Sequence, residues 1–395
     1  MAALLLAIIY LAFISLGLPD SLLGSAWPYM HLQINANVSL MGVLTMIIAG
    51  GTIISSLFSD KMTRKFGSWF IIVISIILTV VALIGFSFST SFWMLCLFAI
   101  PYGFGAGAID STLNNYVALH YSSRSMSWLH CFWGIGTIIS PYIMSYALSY
   151  HSSYQLGYRL VGIIQLVICA VVALSYPLWK KLKQINKDNE PNLNSLSFKE
   201  KFKIKGIFFV LFAFLAYCAF EATLIHWSAT YVTKAHGVDE ISAASYAPLF
   251  FIGMTISRFI FGFITNKLGD KNSIRVGISI VILGLIFLFI PTTNNIVYIV
   301  GLITIGLGCG PIYPCIIHSA PYNFGSENSA AVISLQMAFA YIGSTFIPPI
   351  YGLLINLVGA QIFPYFILFF VIIFIIMIEL LNKKVKNNIP FNKSN

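Results

Sequence analysis

Charge is what this chain has least of. Only 9% of its 395 residues are Asp, Glu, Lys or Arg, against about 25% in an ordinary soluble domain. That scarcity excludes a water-soluble globular fold. Acids are rarer than bases, 12 against 22, which leaves a net charge of +10. With so few ions, the excess is no nucleic-acid footprint, and its meaning depends on where the cations sit. All six cysteines (Cys96, Cys131, Cys169, Cys218, Cys309, Cys315) fall inside apolar runs. They show neither metal-ligand spacing nor a disulfide framework, so we expect packing residues and no metal. There is no phosphate-binding GxxxxGK[ST] loop, no Cys-x-x-Cys pair and no His-Glu-x-x-His. The glycine-rich run 103–107 follows no strand pattern, which removes a dinucleotide site. An enzyme is therefore not expected, and neither is a cofactor. ATP-driven pumping would need a nucleotide domain, so an ion gradient is the expected energy source.

Apolar length is what the chain has in abundance: 58% of its residues are hydrophobic, 33 of them Phe. Twelve apolar spans fall at 3–27, 39–58, 68–88, 92–118, 125–148, 157–178, 206–232, 242–264, 274–291, 297–318, 329–355 and 361–382. Each is long enough to cross a hydrocarbon core of roughly 30 Å at roughly 1.5 Å per residue. The first is not read as a cleavable signal peptide, because it has no basic leader and contains Asp20. The expected fold class is an all-α membrane protein with twelve transmembrane helices in two pseudo-symmetric six-helix bundles. The expected division is a bundle at 1–178, a Lys- and Asn-rich linker at 179–205, a second bundle at 206–382 and a disordered tail at 383–395. A short amphipathic helix is expected near Ser197–Lys205, within a linker that is solvated rather than lipid-bound.

The cations set the orientation. Of the 22 Lys and Arg, all but Arg159, Lys234 and Arg258 follow an even-numbered span. The positive-inside rule then places both termini and the linker in the cytoplasm, across a cell membrane. Membrane lipid and a small-molecule substrate are the expected partners, with no nucleic acid, and a monomer is expected.

The chain also repeats itself. GFGAGAIDSTLNNY at Gly103–Tyr116 returns as GLGCGPIYPCIIHS at Gly306–Ser319, with Asp110 matched by Tyr313. Asp20 and Trp27 match Glu221 and Trp227; Leu129-His130 match Leu335-Gln336; Asp60-Lys61 match Asn266-Lys267. Membrane proteins with such repeats place substrate sites near the middle of the bilayer.

Three acids lie deep in spans: Asp20, Asp110 and Glu221. A carboxylate at mid-bilayer costs roughly 2.5–3.5 kcal/mol on insertion scales. Burial disfavours the charged form, so each is a candidate proton carrier, and a structural hydrogen bond is the alternative. Asp110 shares a helix face with Asn114 at i+4, and Gly103, Gly105 and Gly107 allow a second backbone to come close. His130 is the next polar group. Together they offer donors and acceptors suited to hydroxyl groups. In span 7, Tyr217 shares a face with Glu221, whereas Trp227 joins a cavity only if the span bends. Gln336 is expected to face a cavity. Tyr313 lies between Pro311 and Pro314, where a broken helix would aim it inward and an intact one would pack it. His226 and His318 are weaker candidates near span ends. Asp60, Lys61 and Arg64 are expected as a latch on the cytoplasmic rim, with a solvated turn as the alternative. Arg258 is expected to snorkel or pair at that same end as a gate residue. Glu379 is expected to pair with the terminal lysines.

The loop Ser59-Asp60-Lys61-Met62-Thr63-Arg64-Lys65-Phe66-Gly67 resembles, in diverged form, the signature loop of the major facilitator superfamily. Within that superfamily the chain is similar to the fucose permease branch. The resemblance rests on Gly17-Leu18-Pro19-Asp20 with Trp27-Pro28, on Asp110-Ser111-Thr112-Leu113-Asn114, on Leu129-His130-Cys131-Phe132-Trp133-Gly134, and on Glu221. It implies transport of fucose, galactose or glucose with protons, and proton coupling with sugar contact at Asp110 and Asn114. The branch's span 1 carboxylate falls about one turn later than Asp20, near Gly24. The expectation is thus a proton-coupled symporter of a small polar solute such as a monosaccharide, working by alternating access. Substrate contacts would come from Asp110, Asn114, His130, Glu221, Trp227, Tyr313 and Gln336, and coupling from Asp110, Asp20 and Glu221. Sodium stays open as the coupling ion. The rivals are a proton antiporter exporting drugs or metabolites, and a non-transporting membrane sensor, which would need a signalling segment.

Overall fold

In the computed structural model, which describes residues 1–185, 196–238, 240–292 and 294–385, every apolar span is a helix. Twelve helices among the described residues are long and apolar enough to cross a membrane. They are α1 (Ala2–Gln33), α2 (Met41–Phe66), α3 (Ser68–Phe88), α4 (Phe92–His120), α5 (Ser123–His151), α6 (Tyr154–Lys181), α7 (Ile207–His236), α8 (Leu249–Leu268), α9 (Asp270–Phe289), α10 (Asn295–His318), α11 (Ser326–Ile355) and α12 (Ala360–Lys384). The observed α1 runs six residues past its expected end, and it is two pieces, Ala2–Asp20 and Leu22–Gln33, parted at Ser21. Glycines with positive φ close several helices: Gly67, Gly237, Gly269 and Gly359 each follow a C-terminus. Only glycine meets that backbone demand without a steric penalty.

The chain divides into two compact units, Met1–Tyr116 with Leu129–Ser195, and Val117–Trp128 with Leu196–Asn395. The turn joining α4 to α5 groups with the second unit, although it falls within the sequence range expected for the first bundle. The central part of the linker and the tail beyond residue 385 lie outside the described residues. The amphipathic helix expected at Ser197–Lys205 is a single turn, Phe198–Lys201, closed by a capping box. The Glu200 amide donates to Ser197 Oγ, and the Ser197 amide donates to Glu200 Oε2. These bonds hold the Glu200 carboxyl below its usual range. Lys201 corrects the picture of a wholly solvated linker: it is buried, and its Nζ donates to Ser334 Oγ on α11.

The internal repeat is visible in the packing inside each unit. In the first, a Cβ on Gly103 of α4 would lie 2.2 Å from the Ile48 carbonyl oxygen of α2. In the second, a Cβ on Gly306 of α10 would lie 2.2 Å from the Phe250 carbonyl oxygen of α8. Each contact brings two backbones together where no side chain fits, as small residues do in helix pairs within lipid.

Prolines leave orphaned carbonyls four residues earlier, and in an apolar interior those need partners. Three are met by side chains. Pro19 frees the Ser15 carbonyl, which accepts from Gln165 Nε2. Pro141 frees that of Thr137, which accepts from Ser21 Oγ at 2.6 Å. Pro311 frees that of Leu307, which accepts from Ser257 Oγ at 2.5 Å. Gln165 is fully buried, and its Oε1 also accepts from Thr79 Oγ1 at 2.9 Å. Replacing Gln165 by Leu strands the Ser15 carbonyl, while Thr79 Oγ1 keeps its bond to the Ile76 carbonyl, and is expected to cost about 1–3 kcal/mol. Thermal unfolding of the purified variant in detergent should show a lowered midpoint; an unchanged midpoint would mean that the Ser15 carbonyl has another donor.

Candidate functional site

In the first unit, Asp110, Asn114 and His130 come together as one buried chain. Asn114 lies one helical turn after Asp110 on α4, so its amide reaches back along the same face. Its Nδ2 donates to Asp110 Oδ1 at 2.7 Å and to the Asp110 carbonyl at 3.0 Å. His130 Nε2 lies 3.1 Å from Asn114 Oδ1. With the amide oriented by the carboxylate, Oδ1 is an acceptor, so Nε2 must carry the hydrogen. The His130 ring stands edge-on to Phe13, with centroids 5.4 Å apart. Asp110 and His130 are each 5% exposed and Asn114 is fully buried. The α2–α4 seam brackets this group with hydroxyls: Ser59 Oγ meets Ser111 Oγ at 2.6 Å, and Thr63 Oγ1 meets Thr112 Oγ1 at 3.1 Å.

Asp20 forms a second cluster in the same unit, at the break in α1. Tyr102 Oη donates to its Oδ1 at 3.0 Å and Trp133 Nε1 to its Oδ2 at 2.8 Å. Both partners are neutral, and Asp20 is exposed at the protein surface. Tyr102 did not stand out in the sequence, and Trp133 did so only within the motif Leu129–Gly134 and not as a partner of Asp20; that pairing is visible only once α4 and α5 are placed beside α1.

In the second unit, Glu221 on α7 accepts from Tyr217 Oη at 2.7 Å, as their shared face predicts. Its other partner is unexpected. Of the two expectations for Arg258, snorkelling to water or an ion pair, the structure shows an ion pair. Arg258 is buried, with Nη2 3.8 Å from Glu221 Oε1. Because Arg258 comes near the end of an apolar run, its sequence context suggested escape to water, whereas α8 turns it toward the acid on α7.

Two aromatic candidates make packing contacts. Helix α7 stays intact through Trp227, which packs on Tyr351 and over Gly352 of α11. Helix α10 likewise runs unbroken through Pro311 and Pro314. Tyr313 stacks among Phe214 and Tyr217, and its hydroxyl reaches Met337 Sδ at 3.6 Å. Gln336 is different: it is fully buried, and neither atom of its amide has a hydrogen-bond partner. His226 is exposed.

Among the rim candidates, Arg64 Nε donates to buried Asp60 at 2.7 Å, one turn away on α2, and Lys61 is exposed. Among the described residues Glu379 pairs with Arg275 and not with Lys383 or Lys384, taking a two-pronged bond at 2.8 and 2.7 Å. That pairing holds α9 to α12. A further cluster, missed in the sequence apart from His318, lies wholly within the second unit. His318 Nδ1 sits 2.6 Å from Asp270 Oδ2, His318 Nε2 sits 3.1 Å from the Tyr121 carbonyl, and Ser123 donates to Asp270 Oδ1. Arg124 adds bonds from its amide to Asn266 and from Nε to the Gly262 carbonyl. The Cys315 thiol lies beside the same carboxylate.

Counting hydrogens shows what this cluster needs. A carbonyl faces one imidazole nitrogen and a carboxyl oxygen faces the other. A neutral imidazole has one N–H, so the arrangement holds one proton more than neutral His318 with ionised Asp270 would supply. Because the bonded state carries that proton, it is favoured as pH falls. Hydrogen–deuterium exchange in 121–128 is expected to quicken as pH rises, after correction for intrinsic rates, and to lose that dependence in His318→Gln.

Apolar hollows of about 390 Å³ beside Tyr142 and Tyr146, and about 300 Å³ beside Phe58 and Phe104, are lined by no acidic residue. The polar chemistry belongs instead to carboxylates held inside helix seams. Twelve membrane-crossing helices, a repeated seam and polar groups buried in it define a polytopic helical membrane protein built from two related halves.

The comparisons with known proteins give that class a family. The profile of the Major Facilitator Superfamily matches residues 9–348, and the chain belongs to that family. It is 22% identical over 362 residues to the glucose/mannose transporter GlcP of Bacillus subtilis, covering 88% of this chain and 87% of that protein. It is 22% identical over 391 residues to Bypass of stop codon protein 6 of Saccharomyces cerevisiae, covering 89% of this chain and 77% of that protein. Among solved structures, the transporter FucP in its outward conformation matches with a TM-score of 0.77 at 15% identity, over 95% of this chain and 98% of that one. The proton:xylose symporter XylE matches with a TM-score of 0.75 at 12% identity, over 96% and 95%. At these identities the structural likeness establishes the fold.

Proposed function

We propose that this chain is a proton-coupled symporter of a small polar solute, a monosaccharide foremost, working by alternating access. The buried His130–Asn114–Asp110 chain carries this reading. An amide has one donor end and one acceptor end, so Asn114 satisfies Asp110 and His130 in opposite senses. While Asp110 is ionised, the NH₂ end faces it and the oxygen faces His130. A proton on Asp110 turns an acceptor into a donor. The amide then serves it better reversed, and His130 must change tautomer to follow. Loading of the acid is thereby felt at an imidazole two bonds away, where a solute hydroxyl can read it. The names of relatives point the same way, since GlcP is a glucose/mannose transporter and XylE a proton:xylose symporter.

In this scheme Asp110 is the principal proton carrier and Asp20, held by neutral donors, the secondary one. Asn114, His130, Glu221 and Gln336 supply solute contacts, while Trp227 and Tyr313 brace the helices that carry them. Asp60, Lys61 and Arg64 form the cytoplasmic rim, with both termini on that side of a cell membrane, as the lysine distribution favours. Protons are the preferred coupling ion because the chain of donors can pass one on, whereas no cage of oxygens for sodium is among the described contacts.

Asp110→Asn tests the coupling. Reconstituted into liposomes, it is expected to exchange labelled sugar in counterflow but to lose proton-driven accumulation. Intact accumulation would contradict the role of Asp110. Gln336→Leu tests solute contact from the other direction. Removing an orphaned buried amide is expected to stabilise the empty protein by about 1 kcal/mol or more, while solute affinity falls. A variant that is stabilised with affinity unchanged would remove Gln336 from the site.

A further inference from the structure

The pair formed by Glu221 and Arg258 has a geometry that assigns it a task of its own. The two halves match at Asp20 and Glu221 in sequence, yet the acids are held differently. Asp20 takes hydrogens from a phenol and an indole. Glu221 takes one from a phenol and faces a guanidinium. The cation is the covered partner: the Arg258 side chain is 5% exposed and that of Glu221 14%. The two carboxylate oxygens are also unequal. Oε1 receives Tyr217 and faces Arg258, whereas Oε2 has no hydrogen-bond partner and is not sealed from solvent. Tyr217 is fully buried and its hydroxyl also reaches the Cys309 carbonyl at 3.1 Å, so it is fixed in place from α10.

We infer that Glu221 is a permanently ionised acceptor for a solute hydroxyl at Oε2, kept anionic from behind by Arg258 and oriented by Tyr217, and that it takes no part in carrying the coupling proton. The inference rests on the sugar-symport reading and refines it, since Glu221 entered as a candidate for both tasks. The physical reason is electrostatic. Two opposite charges close together in a poorly solvated interior stabilise each other strongly, and removing one leaves the other uncompensated. A guanidinium 3.8 Å away favours the charged form of Glu221 against the burial that disfavours it. Its open oxygen then offers a charge-assisted bond to O–H, which is shorter and stronger than a neutral one. A polyol supplies such donors; an apolar cation does not. The titratable or charged groups meeting Glu221 are Tyr217 on α7, Arg258 on α8 and the Cys309 thiol on α10. Arg258 and Tyr217 are positioning residues, because they act through the carboxylate.

The test uses the full-length protein, with glucose, galactose, fucose and mannose as probes. Sugar-induced thermal shifts identify which sugar binds, and uptake in liposomes is followed at several pH values. Glu221→Gln is expected to weaken binding of the responding sugar about tenfold to a hundredfold, the range of a lost charge-assisted bond. The ratio of protons to sugar in its residual transport is expected to stay at the wild-type value. Arg258→Met is expected to bind weakly at neutral pH and to recover affinity as pH rises, because only deprotonated Glu221 accepts. Arg258→Lys should restore pH-independent binding in part. If a single variant fails to fold, Glu221→Gln with Arg258→Met removes both charges and is expected to recover stability without recovering affinity. Wild-type affinity in Glu221→Gln, or a halved proton ratio, would overturn the inference while leaving sugar symport standing. No response of the wild type to any of the four sugars would instead remove the symport reading, and the inference with it.

Discussion

A carboxylate inside an apolar helix bundle must find its hydrogen-bond donors within the protein. That constraint organises both units of this chain. Asp110 finds an amide one turn along its own helix, Asp20 a phenol and an indole on neighbouring helices, and Glu221 a phenol with a guanidinium behind it. The same demand extends to the backbone. Each of three prolines strands a carbonyl, and a serine or glutamine from a neighbouring helix answers it. Backbone bonds lost to proline, which would be prohibitive in lipid, are thereby replaced from neighbouring side chains.

The halves share a scaffold and differ in chemistry. Their glycine seams superpose in kind: α4 closes on α2 at Gly103 as α10 closes on α8 at Gly306. On that common frame the first half sets Asp20 between two neutral donors, and the second sets its counterpart Glu221 against a buried cation. On the proposed reading a duplicated fold gains from such divergence, because one half varies its protonation while the other holds its charge. Gln336 fits the same logic. A fully buried amide without partners is costly in an empty protein, and it is where a polar solute has most to offer.

Much of the architecture was legible in the sequence, for identifiable reasons. Span number follows from hydrophobic length, and the repeat shows in glycines whose spacing is preserved. Asp110 and Asn114 could be joined from sequence because i,i+4 neighbours meet on any helix. His130 joined them because it is polar in an apolar span. What stayed hidden depended on which helix lies beside which. Arg258 read as a rim residue because its distance along the chain to Lys267 was visible and its distance across to Glu221 was not. Tyr313 and Trp227 read as site residues because proline and aromatic signals mark bends and pockets equally; the helices that carry them are intact, and both rings make packing contacts. Asp270 was overlooked ahead of the span expected at 274–291; it is the first residue of α9, where an acid is ordinary helix-start chemistry. Gln165 passed unnoticed because one amide in an apolar run gives no hint of the carbonyl it serves.

The central claim is that a proton and a sugar cross together through a buried acid. Lightly buffered liposomes containing the protein, with no imposed gradient, test it directly. Adding the sugar outside should raise the external pH in step with entry of the labelled solute, as protons move inward with it. Sugar entry with no change in external pH, or with acidification, would contradict the account.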